Sequence, residues 1–168
     1  MAISDVLSDS FSRISEGVHD VLAGLPHEAL TYRVDAEANT IAWLVWHLTR
    51  VQDDHVAGVA GTEQVWTAGG WAQRFALPFD ASDIGYGQGP DDVGAVTSRG
   101  ELLGGYFGAV HDASQRFLAT LTDTDIGRVV DERWDPPVTL GVRLVSVIAD
   151  DLQHVGQAAY IKGVAARL

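Results

Sequence analysis

At 168 residues the chain is long enough to enclose one well-packed core and short for two. Its net charge of −12, from 23 acidic against 11 basic residues, argues against binding nucleic-acid phosphates or an anionic membrane surface. Apolar residues at 46% and charged residues at 20% give a globular balance, and the absence of cysteine excludes disulfides and any thiol nucleophile or ligand of its own. Lys162 stands alone beside ten arginines, and Ala, Gly, Val and Asp are heavily used, a bias that fits a GC-rich bacterial genome.

The opening MAISDVLSDSFSRISEG lacks a basic stretch followed by an unbroken apolar one, so no signal peptide is expected. No run of roughly 18 apolar residues occurs to span a membrane, and the cytoplasm is the expected compartment. A first helix is predicted from Ser4 to Ala23, where Val6, Leu7, Phe11, Ile14, Val18, Val21 and Leu22 recur at three- and four-residue steps. Gly24 and Pro26 stop it. A second opens at Asn39-Thr40, both good N-cap types, and ends around Gly58 and Gly61. Its first half is apolar almost all round, which predicts burial on every side.

Residues 62–97 are dense in glycine, aspartate and aromatics, too long for a silent connection, and read as a binding loop or lid. A third helix is predicted from Ser98, with Ser98 and Glu101 forming a capping box, through Leu121. After the polar link TDTDIGRVVDERWDPP, a fourth opens near Thr139 and runs to Gly163. The expectation is a single all-α domain over 1–168, and an antiparallel four-helix bundle is its simplest packing.

Of six histidines, His47 in the second helix and His154 in the fourth each sit in unusually apolar helix and need a partner if buried. Asp150 precedes His154 by four residues, so the two stand on one helix face. That spacing suits either an ion pair or two ligands of one divalent ion, with His47 the best third ligand from a facing helix. Carboxylate oxygen with imidazole nitrogen suits zinc, nickel, iron or manganese. His55 follows His47 by eight residues, a rise of about 12 Å, too far to share the ion. Asp54 reads as a polar residue beside a pocket, and Gln157, three residues after His154, as a surface amide or a contact to substrate. His19, His27 and His111 read as solvated or capping. GQG at 87–89 lacks the strand and lysine of a phosphate loop, and no G-x-S-x-G elbow exists.

The segments NTIAWLVWHLTRVQDDH, WAQRFALPFD and WDPPVTLGVRLVSVIADDLQHVGQAAYIKG resemble the DinB-like superfamily of four-helix metalloproteins, most nearly the actinobacterial mycothiol S-transferases. The resemblance implies an up-down-down-up bundle with a long crossover between helices two and three. It also implies a metal triad of His47, Asp150 and His154, with Asp150 standing where many members carry histidine and related isomerases carry glutamate. The implied activity is transfer of mycothiol to an electrophilic small molecule. Mycothiol would supply the thiol that the chain lacks, and zinc would lower its pKa. Trp71 and Arg74, with Trp66 and Tyr86, are expected to line the substrate or cofactor site, together with Asp54 and Gln157. Alternatives are a metal-dependent hydrolase or isomerase on the same scaffold, or a non-catalytic small-molecule-binding stress protein. The reading implies no nucleic-acid partner and allows a homodimer.

Overall fold

The computed structural model describes residues 2–167. Four long helices carry the fold: α1 (Ile3–Leu22), α3 (Ile41–Ala60), α7 (Gly100–Leu118) and α8 (Leu140–Ala165). One-turn α2 (His27–Leu30) follows α1, and the crossover from α3 to α7 holds the short helices α4 (Val65–Ala68), α5 (Trp71–Phe75) and α6 (Pro90–Ala95). A two-stranded antiparallel hairpin, β1 (Val129–Asp131) and β2 (Val138–Thr139), leads into α8. No described helix is long and apolar enough to cross a membrane.

α3 packs on α7 and α8, and α1 packs on the same two, so α1 and α3 stand on one diagonal of the bundle. Directions follow from the contacts. Gln115 near the end of α7 bonds Ser8 and Ser12 near the start of α1, which makes that pair antiparallel. Lys162 at the end of α8 donates to the Asp20 and Ala23 carbonyls at the end of α1, so these two run parallel. Gln52 donates to Ser114 and Tyr106 approaches Arg50, which sets α3 parallel to α7. The order is therefore up-down-down-up. It replaces the simple antiparallel packing and agrees with the crossover that the resemblance implies.

The core gathers Leu7, Phe11, Ile14, Val18 and Val21 of α1 with Leu103, Phe107 and Val110 of α7 and Leu144, Val147 and Ala158 of α8. The unbroken burial of α3 from Ile41 to Asp53 has a plain cause: α7 and α8 flank it and the crossover covers what remains. Thr40 caps it by accepting from the Trp43 amide at 3.0 Å, and Gly61 ends it at φ +70°, the left-handed turn that glycine takes without steric cost. Thr139 caps α8 through the Val142 amide at 3.4 Å. The expected Ser98–Glu101 box does not form: Arg99 is the N-cap of α7 and no side chain bonds there. α7 also stops at Leu118, short of the predicted Leu121.

The crossover is pinned by two buried charges on α3. The Asp53 carboxylate accepts from the Val65 and Trp66 amides at 2.9 and 2.7 Å, satisfying the first turn of α4, and from the Tyr106 hydroxyl at 2.8 Å. Arg50 donates to Gln64 at 2.8 Å and to the carbonyls of Asp83 and Ala81 at 3.2 and 3.3 Å. Its guanidinium lies over Trp66, 4.9 Å from the ring centre. This clamp holds the crossover at residues 64–66 and again at 81–83, just before the segment that reaches the candidate site.

Candidate metal centre

His47 on α3 meets Asp150 and His154 on α8, with one ligand atom from each lying within 4.8 Å of the others. The His154 Nε2 to Asp150 Oδ2 distance is 3.6 Å, near the edge of about 3.3 Å that a tetrahedral ion with 2.0–2.1 Å bonds requires. His47 is buried, and the other two are partly exposed, which gives the cluster one dry side and one open side.

Each imidazole is held by its other nitrogen. The Nδ1–H of His47 donates to the Ile84 carbonyl, and the Nδ1–H of His154 donates to Gln157 Oε1 at 2.9 Å. Both Nε2 atoms are then left with a lone pair, the state in which an imidazole can ligate a cation. Burial pushes the His47 imidazole below its usual pKa; the Ile84 bond and Asp150 oppose this, while His154 adds to it. The lowered pKa favours the neutral imidazole, the form that ligates. Asp150 Oδ2 is buried with no hydrogen-bond partner. A buried, unpaired carboxylate oxygen beside two free imidazole nitrogens is costly as it stands and fits a divalent cation.

Segment 84–88 of the crossover lies on the cluster. Gly85 has φ +105°, and a Cβ there would collide with the His47 ring, so glycine is required on both counts. The Tyr86 ring meets His47 edge-on at 5.2 Å. Trp43 stacks on His47 at 4.6 Å and is itself held by its Nε1–H, which donates to Gln88 Oε1 at 2.7 Å.

The other expected site residues divide. Gln157 serves His154, a role compatible with the substrate contact expected of it. Tyr86 reaches the cluster. Trp66 is buried against Trp46, Phe75 and Tyr106. Trp71 packs on Gly105 and Tyr106 of α7, and Arg74 stacks over Trp71 at 4.1 Å. Neither Trp71 nor Arg74 is brought to the triad. Asp54 pairs with His55 at 3.3 Å and accepts from Gln64 at 2.8 Å, in a separate polar cavity. Ile84, Gly85, Trp43 and Gln88 were missed by sequence reasoning. The GQG at 87–89, set aside as a phosphate loop, was the one available signal for Gln88.

An up-down-down-up bundle with a His–Asp–His cluster between antiparallel helices defines the DinB-like class. The sequence matches the mycothiol S-transferase family over residues 6–165, and the chain belongs to that family. A similar solved structure is a conserved protein from Enterococcus faecalis, 26% identical, with a TM-score of 0.89 and 96% of each chain covered. No curated protein matches the chain.

Proposed function

We propose that the chain is a metal-dependent S-transferase that joins mycothiol to an electrophilic small molecule, with His47, Asp150 and His154 holding the ion. The observation that carries this reading is the pair of free Nε2 atoms converging with an unpartnered carboxylate oxygen. Family membership supplies the thiol. Two nitrogens and one oxygen in this spacing favour zinc. When bound, the ion would supply the Lewis acidity that brings a thiol pKa toward neutrality.

The protein's own residues do the rest. Ile84 and Gln157 fix the two imidazoles in the ligating tautomer. Trp43 and Tyr86 exclude water from the buried side of His47 and form an apolar wall against which an electrophile can lie. The open side, where Asp150 and His154 are partly exposed, admits the two reactants.

The test is thiol consumption by metal-replete protein given mycothiol and a panel of haloalkyl and activated-alkene electrophiles. Loss of thiol above the uncatalysed rate is expected, abolished in His47→Ala and His154→Ala, with glutathione a poor substitute. Cleavage of an ester in the same panel without thiol loss would favour the hydrolase reading. Neither reaction would leave a binding protein.

A further inference from the structure

Toward the α3 C-terminus lies a second cavity of about 560 Å³, lined by Asp54 and His55 of α3, Arg128, Asp131 and Arg133 of the hairpin region, and Arg143 of α8. Three of the ten arginines of a strongly acidic chain are gathered here. Asp131 holds two of them: Arg133 forks onto it at 2.9 and 2.8 Å, and Arg143 reaches it at 3.2 Å. Arg128 donates to the Val59 carbonyl at 3.1 Å. On the α3 wall, His55 beside Asp54 holds that carboxyl below the usual range, with burial opposing and Gln64 and Arg50 contributing less.

The cavity lies about two helical turns from the triad along α3 and α8. Arg143 precedes Asp150 by seven residues and Asp54 follows His47 by seven. Because α3 and α8 run antiparallel, both offsets point the same way, each about 10.5 Å. The Tyr86 phenol is raised chiefly by burial, with Asp150 and Asp151 adding to it, Arg143 opposing and Asp54 contributing least.

We infer that this cavity is the recognition site for the polyhydroxyl part of the thiol cosubstrate, with Asp54, His55 and Arg143 as its specificity-determining residues. The assignment rests on the thiol-transfer reading above. Three guanidiniums against two carboxylates leave a nearly balanced lining, with Asp131 among the arginines on one wall and His55 beside Asp54 on the other. A hydroxyl both donates and accepts, so a ring bearing several can satisfy both walls. An apolar ligand would take water from these charged groups and offer no hydrogen bond in return, and an anion would meet Asp54 and Asp131 as well as the arginines. The offset from the triad is also right: a cysteinyl thiol with its sulfur among the three ligands carries its sugar about one residue and one ring further on.

The experiment has two readouts. In the first, binding of thiol-free N-acetylglucosaminyl-inositol is measured by calorimetry on metal-replete protein and on Arg143→Gln, Asp54→Asn and Arg133→Gln. Arg133 has its side chain 85% exposed, so that variant keeps the fold even if Arg143→Gln does not. Binding to the parent protein and a loss of about tenfold or more in Arg143→Gln, Asp54→Asn and Arg133→Gln are expected. In the second, KM for mycothiol should rise by a similar factor in those variants while KM for N-acetylcysteine stays put. Fragment binding without S-transfer would overturn the reaction and leave this site standing. No fragment binding to folded parent protein, equal binding to folded variants, or a KM change confined to the electrophile would overturn the site.

Discussion

The two histidines of the triad are useful only because something else occupies their Nδ1 atoms. For His47 that partner is a backbone carbonyl, Ile84, carried past the ring by Gly85 at φ +105°. A side chain at Gly85 is excluded twice, by the backbone angle and by the ring against which its Cβ would press. Gly85→Ala should therefore push segment 84–88 off His47, break the Ile84 bond and weaken metal binding by about 10- to 100-fold, the usual effect of losing such a support. Metal titration with a competing chelator measures it, and an affinity equal to the parent's would contradict the assigned role. None of this was visible in the sequence. Asp150 and His154 were legible because four-residue spacing on a helix is a geometric statement, and His47 because of its apolar surroundings. A carbonyl has no letter of its own, and a glycine in a glycine-rich stretch does not announce which atom it approaches.

The four long helices were readable from their periodicity, since each buries a face that repeats locally. The crossover was not, because its course is set by contacts far apart in sequence. Arg50 and Asp53 sit in the polar stretch TRVQDDH of α3, yet their side chains are 0% and 2% exposed and carry α4 and residues 81–83 between them. The same clamp explains why Trp71 and Arg74 lie on α7 rather than at the triad: once α4 is tied to Asp53, α5 follows it onto that side of the bundle. The Ser98–Glu101 box failed for a related reason, with α7 starting after Arg99 and Ser98 left before its N-cap. Asp53→Ala would leave two amides and the Tyr106 hydroxyl without their acceptor, and the buried Arg50 without the carboxylate 3.8 Å away. Removing one partner of such a buried pair costs about 3–5 kcal/mol. Denaturant unfolding should show a loss of that order, and limited proteolysis should cut first within residues 62–97. A loss below about 1 kcal/mol would mean that the crossover is held by its apolar contacts alone.

At the scale of the molecule, stability and metal binding meet on α8. Asp151, next to a proposed ligand, is fully buried with neither carboxylate oxygen bonded, and burial, with Asp150 adding to it, raises its pKa well above the usual value. The folded chain then keeps a proton that the unfolded chain releases above about pH 3.9, so this group's contribution to stability falls as pH rises toward the folded pKa. The slope is up to about 1.4 kcal/mol per pH unit. Asp151→Asn has no proton to lose, and its stability relative to the parent should climb between about pH 4 and pH 7, read from urea unfolding of both proteins. A constant difference across that range would mean that Asp151 is paired in solution. The triad itself admits a plainer trial. Protein purified without chelator should carry close to one divalent ion per chain by elemental analysis, His154→Ala should carry none, and His55→Ala, whose imidazole pairs with Asp54 in the other cavity, should keep it. A folded preparation that contains no ion and takes none up on titration would contradict the account at its centre.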